Sequence, residues 1–241
     1  MQMSNAFSAS RLKIQRAREH LSDLENLVTD FVKEAVGVYP NDCGEIGVSY
    51  SAELLTDIAL TIGDAIHNAR SALDILVCDL ARIRGCKSIP TRLSFPVCKT
   101  KSDLEARVNE IRDLIGDTVS DILVNDLKSY GECDGNALLC ALHELDISDK
   151  HKLLIPVLSQ AIITGLDAGN KFLSSSKFHL GERSKVNIGL NYDRLKGYEK
   201  PSLTLSFAKG QVLADEPVIP SLVKMIDLVA SVIDKFDIFY G

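Results

Sequence analysis

The chain predicts an α+β protein, mainly α: a helical bundle with a small antiparallel β-meander inserted before the C-terminal helix. Three observations predict it. Apolar residues recur at three- and four-residue steps over several long stretches, the period of helices that bury one face. Between about 156 and 215 that period gives way to alternation and turn residues, the texture of strands. Helical stretches stand on both sides of that run. One domain over 1–241 is therefore the economical reading, with a helical core at about 10–155 and 219–239 and a β-rich insertion at about 156–215.

The first helix is expected over 10–36, with Leu12, Ala17, Leu21, Leu24, Leu27, Val28, Phe31 and Val32 on its apolar positions and Ser10 as its N-cap. Gly37, Pro40, Asn41 and Gly44 break it, and 46–50 reads as one short strand. Ser51 is placed to cap a long helix over about 52–84, closed by Gly85. Pro90 and Pro96 forbid regular helix through 86–100. Ser102-Asp103-Leu104-Glu105 opens a helix that runs to about Ile115. Two more are expected, near 118–130 and from about 135 onward, with Ser148 restarting the second. The β-type runs are 160–166, 171–180, 185–192, 202–208 and 211–214. Leu222, Met225, Ile226, Val229, Val232, Ile233 and Phe236 form one stripe of a last helix at 219–239.

Composition narrows the function classes. Of 241 residues, 46% are hydrophobic and 25% charged, the balance of an ordinary globular protein. A net charge of −6 gives no global attraction to nucleic acid, so any such binding needs a local basic patch. The basic residues near the start (Arg11, Lys13, Arg16, Arg18) spread around one helix and do not form a stripe. No run approaches the ~18 apolar residues of a membrane span, and 1–10 lacks the apolar core of a signal peptide. Six cysteines at irregular spacings, with no Cys-x-x-Cys pair, then read as free thiols in a reducing cytoplasm. Phosphate-loop, dinucleotide-binding and Gly-x-Ser-x-Gly signatures are absent.

Two polar clusters interrupt the apolar pattern. The first is 63–74. On a helix, Ile62, Ala65, Ile66, Ala69, Leu73, Leu76 and Leu80 form the core stripe, while Asp64, His67, Ser71 and Asp74 share the opposite side with Arg70 on its flank. A carboxylate beside an arginine and an imidazole can orient the ring and fix its tautomer. The second cluster, 143–152, holds His143, Asp146, Asp149, Lys150 and His151. His143 and Asp146 share a face at i,i+3 and are the one weak candidate for a metal pair; the His-Glu-x-x-His pattern is absent. Each cluster has an alternative, a solvated helix face for the first and core-edge histidines for the second.

The string at 63–74, followed by Phe95-Pro96-Val97 and by Asp149-Lys150-His151-Lys152, resembles a broad group of bacterial proteins without a settled activity. The resemblance covers about 60–155 and implies a shared site. More distantly the chain resembles HEPN domains, helical bundles that often dimerise and often cut RNA without metal in toxin–antitoxin and phage-defence systems. There a paired Arg and His act at the dimer cleft. This chain departs from that pattern: Arg16 and His20 stand one residue too close, and His67 precedes Arg70.

The resemblance therefore implies a cofactor-free, cytoplasmic endoribonuclease, homodimeric and acting on RNA, with a composite site. His67 or His151 would be the general acid–base. Arg70 and Lys150 would hold phosphate, Asp74 and Asp149 would orient the imidazoles, and Asp64 and Asn68 would complete the pocket. Two other classes remain open. One is a non-catalytic module that binds an anionic small molecule, a nucleotide or a protein partner. In the other, the clusters are internal salt-bridge networks that tie two helices together.

Overall fold

The computed structural model describes residues 6–30, 37–40, 45–49, 52–152, 157–163, 166–167, 172–173, 176–180, 185–191, 202–208 and 211–240. It is mainly helical, as expected. The helices are α1 (Ser8–Asp30), α2 (Ala52–Ile83), α3 (Lys101–Ile115), α4 (Asp117–Asp121), α5 (Ala137–Lys152) and α6 (Val218–Tyr240). The backbone sorts into two compact units: Met1–His20 with Gly63–Leu153 and Leu222–Gly241, and Leu21–Ile62 with Leu154–Ser221. The described cysteines, Cys78, Cys86, Cys98, Cys133 and Cys140, are free thiols.

The first unit is helical. All seven residues of the predicted α2 stripe and all seven of the α6 stripe are buried. Burying a Leu- or Ile-sized side chain contributes about 1.5–3 kcal/mol, so these stripes hold the helices together. Arg11 pairs with Asp234 and Asp237, and Arg18 with Asp227 at 3.1 Å, so α1 and α6 run antiparallel. Such exposed pairs set register more than stability. Leu12, expected in the core, is 65% exposed on the same helix. Ser10 is not the N-cap: α1 begins at Ser8, and Ser10 is fully buried inside the helix, its hydroxyl without a partner among the described residues. Ser51 and 31–36 lie outside the described residues.

Gly85, at φ +88°, ends the α2 region, its N–H bonded to the Arg82 carbonyl at 2.8 Å. α3 is capped two residues earlier than expected, by Thr100, whose Oγ1 accepts from the Asp103 N–H at 3.1 Å. The helix expected near 118–130 is α4 running into a π-helical stretch, Ile122–Leu127. α5 is unbroken through Ser148, which therefore restarts nothing. The irregular segment after α2 is pinned by Ser129, whose hydroxyl donates to the Pro96 carbonyl at 2.7 Å, and by the burial of Leu93 and Phe95.

The second unit holds the strands: β1 (Gly37–Pro40), β2 (Glu45–Ser49), β3 (Val157–Ile163), β4 (Leu166–Asp167), β5 (Phe172–Leu173), β6 (Ser176–Leu180), β7 (Lys185–Asn191) and β8 (Ser202–Phe207). Among the described residues, these strands pair with one another antiparallel. β3 is central in the order β6-β3-β8, and β7 joins the β1–β2 hairpin in the order β1-β2-β7. The insertion is thus completed by strands that precede α2, with Val48 facing Val186 across the β2–β7 pair. Residues 211–214, expected as a strand, form a turn closed by the Ala214 N–H on the Gln211 carbonyl at 3.1 Å.

Candidate functional site

α2 is buried on more than one side. Its apolar stripe accounts for one. His67, Arg70, Ser71 and Asp74, at three- and four-residue spacing, lie on another, and the bonds of His67 and Arg70 run to α5. α5 buries Leu139, Leu142 and Leu145, and Asp146 continues that side four residues after Leu142. Gly63 lets the helices approach: a Cβ there would lie 2.7 Å from both carboxylate oxygens of Asp149. The two clusters therefore meet, through His143 and Asp146 more than through the residues expected to join them.

The seam has two halves. In one, the Asp146 carboxylate, 5% exposed, is shared. Its Oδ1 lies 3.0 Å from His67 Nδ1, and its Oδ2 accepts from Lys150 Nζ at 2.6 Å. A carboxylate oxygen facing a ring nitrogen accepts, so Nδ1 carries a proton, and in the neutral ring the outer nitrogen, Nε2, presents its lone pair. That nitrogen lies 3.4 Å from the Ser71 hydroxyl. His67 is 48% exposed, so the outer edge of the ring is open to solvent. An imidazole held by a buried carboxylate at one nitrogen and open at the other is arranged to take a proton and return it.

In the other half, Arg70 is buried and fully engaged. Its Nη1 donates to Asp74 Oδ1 at 2.7 Å, Nη2 to the Phe95 carbonyl at 2.9 Å and Nε to His143 Nδ1 at 3.3 Å. Asp74 Oδ1 also accepts from the Phe95 N–H at 2.8 Å. Guanidinium and carboxylate together clasp both backbone groups of Phe95. Because arginine only donates, His143 Nδ1 must accept, and the ring is neutral. Burial first, and the Arg70 charge second, push the His143 pKa down, in keeping with that state.

The remaining expected residues lie at the border of the seam or outside it. Asn68 is structural: its amide donates to the Asp64 carbonyl at 2.8 Å and its Oδ1 accepts from Lys13 Nζ at 3.0 Å, tying α1 to α2. Asp149 borders the His67 half, its carboxyl pushed up by burial and by the charges of Asp146 and Asp64. Asp64 is exposed. His151 is exposed as well and lies about 140° around α5 from Asp146, so it does not join His67. Three expectations are thereby corrected. Arg70 is spent inside the protein and is not free to hold phosphate. The carboxylate that orients His67 is Asp146, not Asp74 or Asp149. His143 and Asp146 are not a metal pair, because one faces Arg70 and the other His67 and Lys150; among the described residues no group of three or more His, Cys, Asp or Glu converges to hold a metal ion. Ser71, on the expected face, acquires significance only from its distance to the ring.

Among the described residues no helix is long and apolar enough to cross a membrane. The chain matches no family model, no curated protein and no solved structure.

Proposed function

We propose that His67 is the acid–base centre of a metal-independent endoribonuclease, HEPN-like in character and of the toxin or phage-defence type. The observation that carries this reading is the half-exposed imidazole whose inner nitrogen is fixed on the buried Asp146 carboxylate. Cleavage of RNA through its own 2′-hydroxyl asks little else of a protein. Nε2 takes the 2′-hydroxyl proton, and the 2′-oxygen attacks the adjacent phosphorus. The 5′-oxygen leaves with that proton, returned by Nε2, giving a 2′,3′-cyclic phosphate and a 5′-hydroxyl. Lys150, half-exposed beside Asp146, would offset the charge that develops on phosphate. Arg70 and His151 have no part in this version of the site. A cytoplasmic homodimer is the form the reading expects.

The test is a defined single-stranded RNA incubated with the protein in excess chelator. Cleavage that survives chelation, leaves cyclic-phosphate ends and falls by about 100-fold or more in His67→Ala supports the reading. Intact RNA with the wild-type protein, or equal cleavage by a folded His67→Ala variant, ends it.

A further inference from the structure

The hydroxyls along the helices of this protein provide an internal comparison. Thr29, Thr61 and Ser120 each turn back to bond the carbonyl four residues earlier, at 2.8 Å, the ordinary resting place of a helical hydroxyl. Ser71 does not. Its partner is the ring of the residue four positions earlier, at 3.4 Å from His67 Nε2. The same ring is bonded through its other nitrogen to Asp146, at 3.0 Å. Because Asp146 fixes the proton on Nδ1, the nitrogen facing Ser71 is the basic one. A hydroxyl, an imidazole and a buried carboxylate in this order are a nucleophile, its base and the base's orienter, a constellation recognised by geometry and not by sequence position. The hydroxyl–imidazole distance is long for a hydrogen bond, as such contacts often are before substrate arrives.

We infer that Ser71 is a nucleophile that accepts acyl groups, so that the site hydrolyses small, activated carboxylic esters by a covalent route. The inference shares the His67–Asp146 pair with the ribonuclease reading but neither its nucleophile nor its substrate. Ser71 Oγ adds to the ester carbonyl carbon while its proton passes to Nε2. The tetrahedral adduct collapses, its carbon–oxygen bond to the alcohol breaks, and the alcohol leaves with that proton. Water then adds to the acyl carbon, giving its proton to the same nitrogen, and Ser71 departs reprotonated. Ester and water have become acid and alcohol. Lys150, bonded to the second oxygen of Asp146, places a positive charge beside the pair as the carbonyl oxygen turns anionic. The ring edge open to solvent suits a short acyl chain such as acetyl.

The experiment uses the full chain with p-nitrophenyl acetate and, separately, a fluorophosphonate that labels activated serines. The expected results are a burst of about one p-nitrophenolate per chain and a single label mapped by peptide mass to Ser71. Burst and label should both vanish in Ser71→Ala. In His67→Gln, with an unchanged circular-dichroism spectrum, labelling should slow by about 100-fold or more. No label on the wild-type protein, a label elsewhere, or equal labelling of Ser71→Ala overturns the inference, whatever the RNA assay gives. Label at Ser71 with RNA left intact keeps it and removes the ribonuclease.

Discussion

His67 and His143 stand in the same seam between α2 and α5, and each has one ring nitrogen bonded to a charged group of the facing helix. The charges are opposite. His67 faces a carboxylate, so its Nδ1 donates and its outer nitrogen is a base open to solvent. His143 faces a guanidinium, so its Nδ1 accepts and burial keeps the ring neutral. On the proposed reading, one half of the seam is reactive and the other is a fastening. The sign of the partner's charge, together with exposure, is what distinguishes the two imidazoles.

Removing the centre of the fastening should have the largest effect. Arg70→Ala strands the half-buried Asp74, the neutral His143 and the Phe95 carbonyl at once. Asp74 is 38% exposed and recovers some solvation, so the loss should sit near the low end of the range for a broken buried pair, about 3 kcal/mol. In a chain of this length that lowers the melting midpoint by on the order of 10 °C. A melting curve within about 2 °C of wild type would mean that the clasp on Phe95 does not hold the fold.

The reactive half should respond in the opposite way. His67→Ala removes one of two partners from Asp146 and leaves Lys150 in place, so the cost should be about 1 kcal/mol. Loss of RNA cleavage or ester turnover with so small a change in melting would separate the halves in a single variant. A large drop in stability would instead make His67 a second fastening.

Acid should also distinguish them. The His143 pKa is lower in the folded protein than in the unfolded chain, so below an ordinary imidazole value of about 6.5 the unfolded chain binds a proton that the folded one refuses. The stability tied to this group is present above that pH and is lost as pH falls toward the depressed folded value. His143→Gln, which keeps an acceptor for Arg70, should flatten the stability profile on the acid side of about 6.5 relative to wild type. Parallel urea-unfolding profiles for the two proteins from neutral pH to pH 5 would refute the assignment.

What was legible from residues alone follows the range of the interactions. The α2 and α6 stripes could be read because helical periodicity is local, and all fourteen side chains that define them are buried. Leu12 could not be placed, because its exposure depends on where the neighbouring helices stop. The partnership of β2 with β7 joins residues more than a hundred positions apart, and no local pattern encodes that pairing. For the site, both clusters and their helical faces were legible, but the pairing across the seam was not. His67 and Arg70 look like partners at i,i+3, yet each turns to the other helix. One signal for Asp146 was present: it is a carboxylate four residues after Leu142, on the apolar side of α5, where an acid is out of place unless something meets it.

The finest test of the comparison is Asp149, which borders the reactive half and is bonded to neither histidine. Its carboxyl is pushed up by burial and by the neighbouring Asp146 and Asp64 charges, with His67 and Lys150 opposing. A raised folded value means that the folded protein holds this proton more tightly than the unfolded chain does. Its contribution to stability is complete below an ordinary carboxyl value of about 3.9 and is lost as pH rises through the raised value. At neutral pH the ionised Asp149 therefore works against the fold, pressed against Gly63 with two other acids nearby. Asp149→Asn keeps the shape and removes the charge. It should raise the melting midpoint by a degree or two at pH 7, on the scale of about 0.5 kcal/mol, and by nothing measurable near pH 3.5. A gain of the same size at both pH values would trace the effect to packing and not to charge. A loss at pH 7 would mean that Lys150 outweighs the two acids, and that Asp149 belongs with His67 and Asp146 after all.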